Sequence, residues 1–152
     1  MRKFYEGMLE HLVALHAEAL KSLDSLPPEA LDWSPGPEMN SISVLIMHFT
    51  GSERYWVGDV VKGDPSFRNR EAEFAAKGME AEALRKRITD LDAYEAKAFE
   101  TLKVRDLDAW KVAPKDGRQI TVGWALMHAM QHTAVHVGHI EILAQEWRQR
   151  GS

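Results

Sequence analysis

The amino-acid sequence predicts an all-α protein with the architecture of a four-helix bundle. Four segments of about 20 residues each carry apolar side chains at intervals of three or four, which is the period of an amphipathic helix. No segment shows the sustained alternation of apolar and polar residues that is typical of a strand. Helices with one apolar face bury those faces against each other, so we expect a single bundle domain over residues 1–152.

The first two helices are separated by a proline-rich connection. The first is predicted over residues 3–25, and Pro27 and Pro28 end it because proline lacks the backbone N–H that a helix needs. Residues 27–40 read as an ordered connection rather than a strand, since they contain four prolines and one glycine. The second helix follows Ser41, whose hydroxyl is a candidate N-cap, and covers ISVLIMHFTGSERYWVGDVV.

A long crossover joins the second and third helices. It runs from Lys62 to Gly78, with one or two helical turns expected at residues 71–76. The third helix is predicted over residues 80–102, and a loop around residues 114–117 leads to Thr121, a candidate N-cap for the fourth helix. Because the crossover is long, the second and third helices are not expected to be simple antiparallel neighbours. Two helices of the bundle can therefore run parallel.

Composition and charge exclude several classes of partner. The formal net charge is −4 and 45% of the residues are hydrophobic, so the chain has a core but no basic surplus to neutralise a nucleic-acid backbone. No apolar stretch has membrane-spanning length, and the N-terminal residues do not resemble a signal peptide. We expect a cytoplasmic protein with neither nucleic acid nor a membrane as partner.

The chain contains no cysteine. Disulfides, thiolate ligands and a protein thiol nucleophile are therefore all excluded. Any metal site must use nitrogen and oxygen ligands, and any thiol chemistry must use the sulfur of a small molecule.

The fourth predicted helix carries a run of four histidines, which are His128, His132, His136 and His139. Histidines four residues apart lie on one helix face, the spacing at which two imidazoles can bind one divalent metal ion. On a helical wheel His136 lies about 40° from the centre of the apolar face and His132 about 80°. His139 and His128 lie farther away, at about 100° and 120°. This geometry favours His132 and His136 as ligands and predicts that His128 faces water or a subunit contact.

The second predicted helix adds two polar candidates. His48 flanks its apolar face at about 95° on the wheel, whereas Glu53 lies only about 45° from the centre of that face. An inward carboxylate needs a partner. Glu53 could accept a hydrogen bond from a ligand imidazole, transfer a proton as a catalytic residue, or pair with an arginine. On the first helix, His11 and His16 are expected to be partly buried and to make ordinary hydrogen bonds.

Two familiar classes of metalloprotein do not match these motifs. A zincin requires HExxH, but the fourth helix reads HTAVH and lacks the glutamate that would act as general base. A ferritin-like di-iron site requires ExxH motifs on two helices, and the sequence contains none. A mononuclear site with an open position for a water or a thiol remains.

The sequence resembles the DinB/YfiT-like metalloenzyme family over nearly its whole length. The resemblance rests on ISVLIMHFTGSERYW in the second helix and on TVGWALMH followed by QHTAVHVGHIEIL in the last. It implies a bundle with up-down-down-up order, frequent homodimerisation, and a site in which His48, His132 and His136 bind zinc, nickel or iron. Characterised relatives use the metal to activate a low-molecular-weight thiol, for S-transfer to an electrophile or for isomerisation.

The favoured hypothesis is therefore a metal-dependent transferase that acts on a small-molecule thiol and an electrophile, with Glu53 accepting the displaced proton. In this hypothesis Tyr55 and Trp56 are candidates for the pocket wall. Two alternatives remain open. The metal could activate water for hydrolysis, or the histidines could bind a metal that only stabilises the bundle or a dimer.

Overall fold

The computed structural model describes residues 3–151 and is built almost entirely from helices. Its elements, in chain order, are α1 (Lys3–Asp24), a 3₁₀ turn (Pro28–Ala30), α2 (Ile42–Arg54), a π-helical segment (Tyr55–Lys62), α3 (Arg70–Phe74), α4 (Ala81–Glu100), a 3₁₀ turn (Val104–Asp108), β1 (Trp110–Val112), β2 (Gln119–Thr121) and α5 (Val122–Gln149). The four long helices α1, α2, α4 and α5 confirm the predicted bundle. No helix within residues 3–151 is both long and apolar enough to cross a membrane.

Two apolar clusters give the directions of the long helices. One cluster joins the start of α1 and of α5 to the π-helical segment and the end of α4, with Tyr5, Trp56, Phe99 and Leu126 among its members. The other joins the end of α1 and of α5 to the start of α2 and of α4, with Leu23, Ile46, Ile88 and Ile140 among its members. Helices α1 and α5 therefore run parallel to each other and antiparallel to α2 and α4, which is the up-down-down-up order.

The two predicted N-caps, Ser41 and Thr121, form the expected hydrogen bonds. The Ser41 hydroxyl accepts a bond from the backbone N–H of Val44 at 3.2 Å, and the Thr121 hydroxyl accepts one from Trp124, also at 3.2 Å. These caps satisfy N–H groups that have no partner inside the helix. They fix the register of the two helices, α2 and α5, that carry the candidate ligands.

Two features of the fold differ from the sequence prediction. Helix α2 changes to π-helical geometry at Tyr55 and ends at Gly63, which has a φ of 68°. A short antiparallel hairpin of β1 and β2 also precedes α5, with Lys111 paired to Ile120. Each strand has only three residues, too few to show an alternating pattern, and the loop predicted around residues 114–117 lies between them. The hairpin contacts the π-helical segment next to the candidate site.

Candidate metal centre

Three imidazoles converge between α2 and α5. The Nε2 atom of His132 lies 3.1 Å from Nε2 of His48 and 3.2 Å from Nε2 of His136. All three ligand atoms lie within 4.8 Å of one another. His48 is buried, and the other two are half-buried. The pair that the helical wheel selected on the last helix thus meets the histidine of the second helix.

The spacing of these nitrogen atoms fits a tetrahedral metal ion. Zinc–imidazole bonds of about 2.0–2.1 Å at tetrahedral angles place neighbouring nitrogens about 3.3 Å apart. The distances from Nε2 of His132 to Nε2 of His48 and to Nε2 of His136 lie within a few tenths of an ångström of that value. Three protein nitrogens leave the fourth tetrahedral position for a water or a substrate, as in catalytic zinc sites.

Hydrogen bonds alone do not satisfy the three nitrogens. Burial, followed by the neighbouring imidazoles, lowers the pKa of His132 to about 3. Burial and the neighbouring imidazoles of His48 and His139 lower the pKa of His136 to about 4, so the His132 and His136 rings are neutral near pH 7. The single Nε2 position of neutral His132 either donates or accepts, and it can satisfy only one of its two contacts. A cation between the rings would use all three lone pairs.

His48 is held in place by a carboxylate from the crossover. Its Nδ1 lies 3.1 Å from Oε2 of Glu73, and the tautomer that donates the Nδ1 proton to this carboxylate directs the Nε2 lone pair at the other histidines. Arg68 holds this carboxylate with two bonds, from Nε to Oε1 at 2.7 Å and from Nη2 to Oε2 at 2.9 Å. Burial opposes ionisation of Glu73, but Arg68 and His48 lower its pKa below the usual value.

Gly51 provides the space for this carboxylate. A Cβ atom at Gly51 would overlap Oε1 of Glu73 and would come within 3.3 Å of Nη2 of Arg87. The glycine stands one helical turn after His48, so the absence of its side chain lets α3 approach α2 closely. The sequence did not reveal Glu73, Arg68 or Gly51 as members of the site.

A cavity of about 190 Å³ opens beside the histidines. Its lining residues are His48, Ser52, Tyr55, Trp56, Arg68, Arg70, Lys115, Asp116, Arg118, His128 and His132. Four of these residues are cationic and one is acidic, in a chain whose net charge is −4. Among residues 3–151, Arg70, Lys115 and Arg118 have no carboxylate within ion-pair distance, so this cavity has a positive surplus.

The wall of the cavity is aromatic, and it includes His128. The His128 ring stacks on Trp124, with 4.8 Å between the ring centres, and contacts Trp56, with 4.9 Å between the ring centres. Arg118 lies 4.9 Å from the centre of the Trp124 ring. The helical wheel had indicated that His128 faces water or a subunit contact. In the structure the residue is half-buried in this stack. His139 is exposed, and so is His11, so the predicted partial burial of His11 was wrong.

Glu53 lies apart from the three histidines in the core of the bundle. It is fully buried and does not line the cavity. Its Oε1 atom lies 3.0 Å from Nε2 of His16, and its Oε2 accepts a bond from the Thr133 hydroxyl. No arginine within residues 3–151 pairs with it. A glutamate was predicted to accept a hydrogen bond from a ligand imidazole. In the structure the glutamate that contacts His48 is Glu73 and not Glu53.

The whole chain can be compared with known proteins. The family model of the mycothiol-S-transferases matches residues 7–149. The chain belongs to the mycothiol-S-transferase family. Membership in this family implies a thiol-dependent S-transferase, in agreement with the absence of cysteine and with three histidines that could hold a metal ion. No curated protein sequence gives a significant match.

Solved structures share the fold of this mycothiol-S-transferase family member. A DinB-like protein, YjoA from Bacillus subtilis, has 18% identity and a TM-score of 0.71, over 93% of this chain and 91% of that one. YfiT from Bacillus subtilis, described as a probable metal-dependent hydrolase with an unusual four-helix bundle topology, has 14% identity and a TM-score of 0.74, over 97% and 89%. The mycothiol-dependent maleylpyruvate isomerase has 15% identity and a TM-score of 0.66, over 88% of this chain and 59% of that one.

Proposed function

We propose that this protein binds a divalent metal ion through His48, His132 and His136 and joins mycothiol, through its sulfur atom, to an anionic electrophile. The observation that carries the proposal is the convergence of the three Nε2 atoms beside an open cavity. The family match supports mycothiol as the thiol. Homodimerisation stays a prediction from the family resemblance.

The donor set suits zinc, nickel or iron, because imidazole binds all three. Three neutral nitrogens leave the full charge of the ion in place, so that a bound ion would act as a Lewis acid that lowers the pKa of a thiol at its open position. Glu73 and Arg68 fix the ring of His48 from behind. Such outer contacts set the orientation and basicity of a ligand imidazole.

The cavity beside the histidines would hold the electrophile. Tyr55 and Trp56 close it on the π-helical side, and Arg70, Lys115 and Arg118 provide positive charge without a carboxylate partner. Guanidinium groups bind carboxylates and phosphates in a two-point geometry. We therefore assign an anionic group to the electrophile. In the transfer, sulfur forms a bond to the electrophilic carbon, the thiol releases its proton, and a displaced group leaves with its bonding electron pair.

Glu53 is not favoured as the acceptor of the thiol proton. It is fully buried and does not line the cavity, and its oxygens contact His16 and Thr133. Proton transfer requires a group within hydrogen-bond reach of the reacting atom. The proton therefore leaves through the solvent-accessible cavity.

Replacement of His136 tests the metal site. The His136→Ala variant, purified without an affinity tag, is expected to lose the metal ion of the three-histidine site, which lowers the metal content by one ion per chain, and to lose metal-dependent consumption of mycothiol. His139→Ala is the matched control, because His139 is exposed on the same helix. Unchanged metal content in His136→Ala by elemental analysis would contradict the ligand assignment.

Metal-dependent hydrolysis is the alternative, because the open position beside the cavity suits a water as well as a thiol. A panel of ester, amide and phosphoester substrates, assayed with and without mycothiol, separates the two activities. Turnover that needs the metal but not the thiol would replace the transferase proposal by a hydrolase.

A further inference from the structure

A second group of possible ligands lies in the core of the bundle, separate from the three-histidine site. His16 from α1, Glu53 from α2 and Glu95 from α4 each place one nitrogen or oxygen atom within 4.8 Å of the others. All three side chains are fully buried. We call these three residues the core cluster.

The core cluster contains atoms that hydrogen bonds within the protein do not satisfy. Neither carboxylate oxygen of Glu95 has a hydrogen-bond donor among residues 3–151, and Oε1 of Glu53 has none either. The Nε2 atom of His16 lies 3.0 Å from that Glu53 oxygen, within ion-pair distance. The Glu95 carboxylate is thus buried without a donor, beside a histidine nitrogen and a second carboxylate, which is a donor set that can bind a common cation.

Surrounding side chains hold two members of the cluster in fixed orientations. Oδ1 of Asp92 lies 2.6 Å from Nδ1 of His16, which leaves Nε2 of the ring facing the two glutamates. The Thr133 hydroxyl donates to Oε2 of Glu53, so Oε1 faces the cluster. A carboxylate behind a histidine and a hydroxyl behind a glutamate are typical outer contacts of metal ligands.

The charges of the cluster require compensation. Within residues 3–151, neither Glu53 nor Glu95 has a lysine or arginine at ion-pair distance. Two ionised carboxylates that face each other in the core are strongly unfavourable without a positive charge. A divalent ion bound to two carboxylates and one neutral imidazole has no net excess charge.

We propose that His16, Glu53 and Glu95 form a second metal site, which binds a divalent first-row transition-metal ion in the bundle core. One imidazole and two carboxylates are suited to manganese, iron, cobalt or zinc. Ligands from three different helices would tie α1, α2 and α4 together. Because the ligands are fully buried, we expect the ion to enter as the bundle folds or opens.

The competing occupant of the cluster is a pair of protons. Burial opposes a charge on His16, but its contacts with Asp92 and Glu53 raise its pKa to about 9. Burial and the charge of Glu53 raise the pKa of Glu95 well above its usual value. Protonated His16 and protonated Glu95 would compensate the same two charges as a divalent ion does. Counting the bound metal ions distinguishes the two occupants.

The experiment uses Co²⁺ as the probe and the chain of residues 1–152. The wild type and three variants are unfolded in urea, refolded with excess Co²⁺, freed of loose metal and counted by elemental analysis and native mass spectrometry. We expect two ions per chain in the wild type, one in His136→Ala, one in Glu95→Gln and none in the double variant.

The outcomes separate this proposal from the proposed function. A wild type that holds one ion, lost in His136→Ala and kept in Glu95→Gln, would overturn the core site and leave the three-histidine site intact. An ion lost in Glu95→Gln and kept in His136→Ala would do the opposite. Glu95→Leu serves as a second variant, because it removes the carboxylate without leaving a polar group in the core, and its helical circular dichroism reports folding.

Discussion

Nδ1 of His48 lies 3.1 Å from a carboxylate oxygen of Glu73, although the two residues are 25 positions apart in the chain. This contact connects a helix of the bundle to the crossover. It leaves the Nε2 lone pair of His48 directed at His132 and His136. The candidate metal centre therefore has an outer support that is not part of the four-helix bundle.

Replacing Glu73 by glutamine should weaken metal binding without removing a ligand. The amide keeps the shape of the side chain but loses the charge that holds the Nδ1 proton, and such outer contacts typically contribute about 10–100-fold in metal affinity. Competition with a chelator of known affinity measures the loss. Glu71→Gln, an exposed change on the same short helix, is the control and should leave affinity unchanged. Equal affinities in the two variants would contradict the supporting role.

Gly51→Ala should affect the same contact through steric overlap. The added methyl group would occupy the position of the Glu73 carboxylate and displace it from His48. We expect a loss of metal affinity similar to that of Glu73→Gln, and a double variant no worse than either single one. Gly7→Ala is the control, because no atom lies within 4 Å of a Cβ at that helical position. If the losses of metal affinity added up in the double variant, Gly51→Ala would not be acting through displacement of the Glu73 carboxylate.

Arg118 is expected to select an anionic electrophile. In Arg118→Gln, KM for an electrophile that carries a carboxylate should rise about 10- to 150-fold, since a hydrogen bond to a charged group contributes about 1.5–3 kcal/mol. KM for a neutral electrophile should stay the same, and metal content should not change. Arg105→Gln, an exposed residue outside the cavity, is the control. A parallel rise for both electrophiles would contradict charge recognition.

His128→Ala should keep the metal and alter the cavity. His128 stacks on Trp124 and lines the cavity, but its ring centre lies 6.0 Å from that of His132. Stoichiometric metal is therefore expected by elemental analysis, together with a higher KM for the electrophile. If His128→Ala removed the metal while His136→Ala kept it, the ligand pair on α5 would be His128 and His132.

Thr121→Ala should destabilise the start of α5. The variant loses the hydroxyl that accepts the backbone N–H of Trp124, and loss of an N-cap typically lowers the free energy of unfolding by about 0.5–2 kcal/mol. Urea unfolding of the metal-free protein measures this change. Thr121→Ser keeps the hydroxyl and should recover most of the stability. A serine variant as unstable as the alanine variant would mean that the methyl group of Thr121, rather than its hydroxyl, stabilises the helix.

Local sequence signals predicted the helices because their causes are local. The N-caps at Ser41 and Thr121 depend on residues three positions away, and the burial of Glu53 follows from helical periodicity. His128 is less exposed than its wheel position indicated, because a wheel describes one helix. Trp56, from the π-helical segment, covers part of that face.

The support of His48 could not be predicted in this way. Glu73 and Arg68 belong to a crossover whose path depends on the packing of α3 against α2. The N-cap at Asn69, which accepts the N–H of Ala72 at 3.0 Å, is the local signal that marks the start of α3. Nothing in that signal shows which helix α3 contacts. The three members of the core cluster likewise come from three different helices. They come together only because the helices pack in the up-down-down-up order.

The position of Glu73 on a separate five-residue helix sets a condition for engineering. If the three histidines were grafted onto α2-like and α5-like positions of another bundle, the ligands would be copied without the carboxylate that orients one of them. A working transplant would also need Arg68, the helix Arg70–Phe74 and a glycine at the position of Gly51. The smallest portable unit of this centre is therefore two long helices together with the crossover that packs against them.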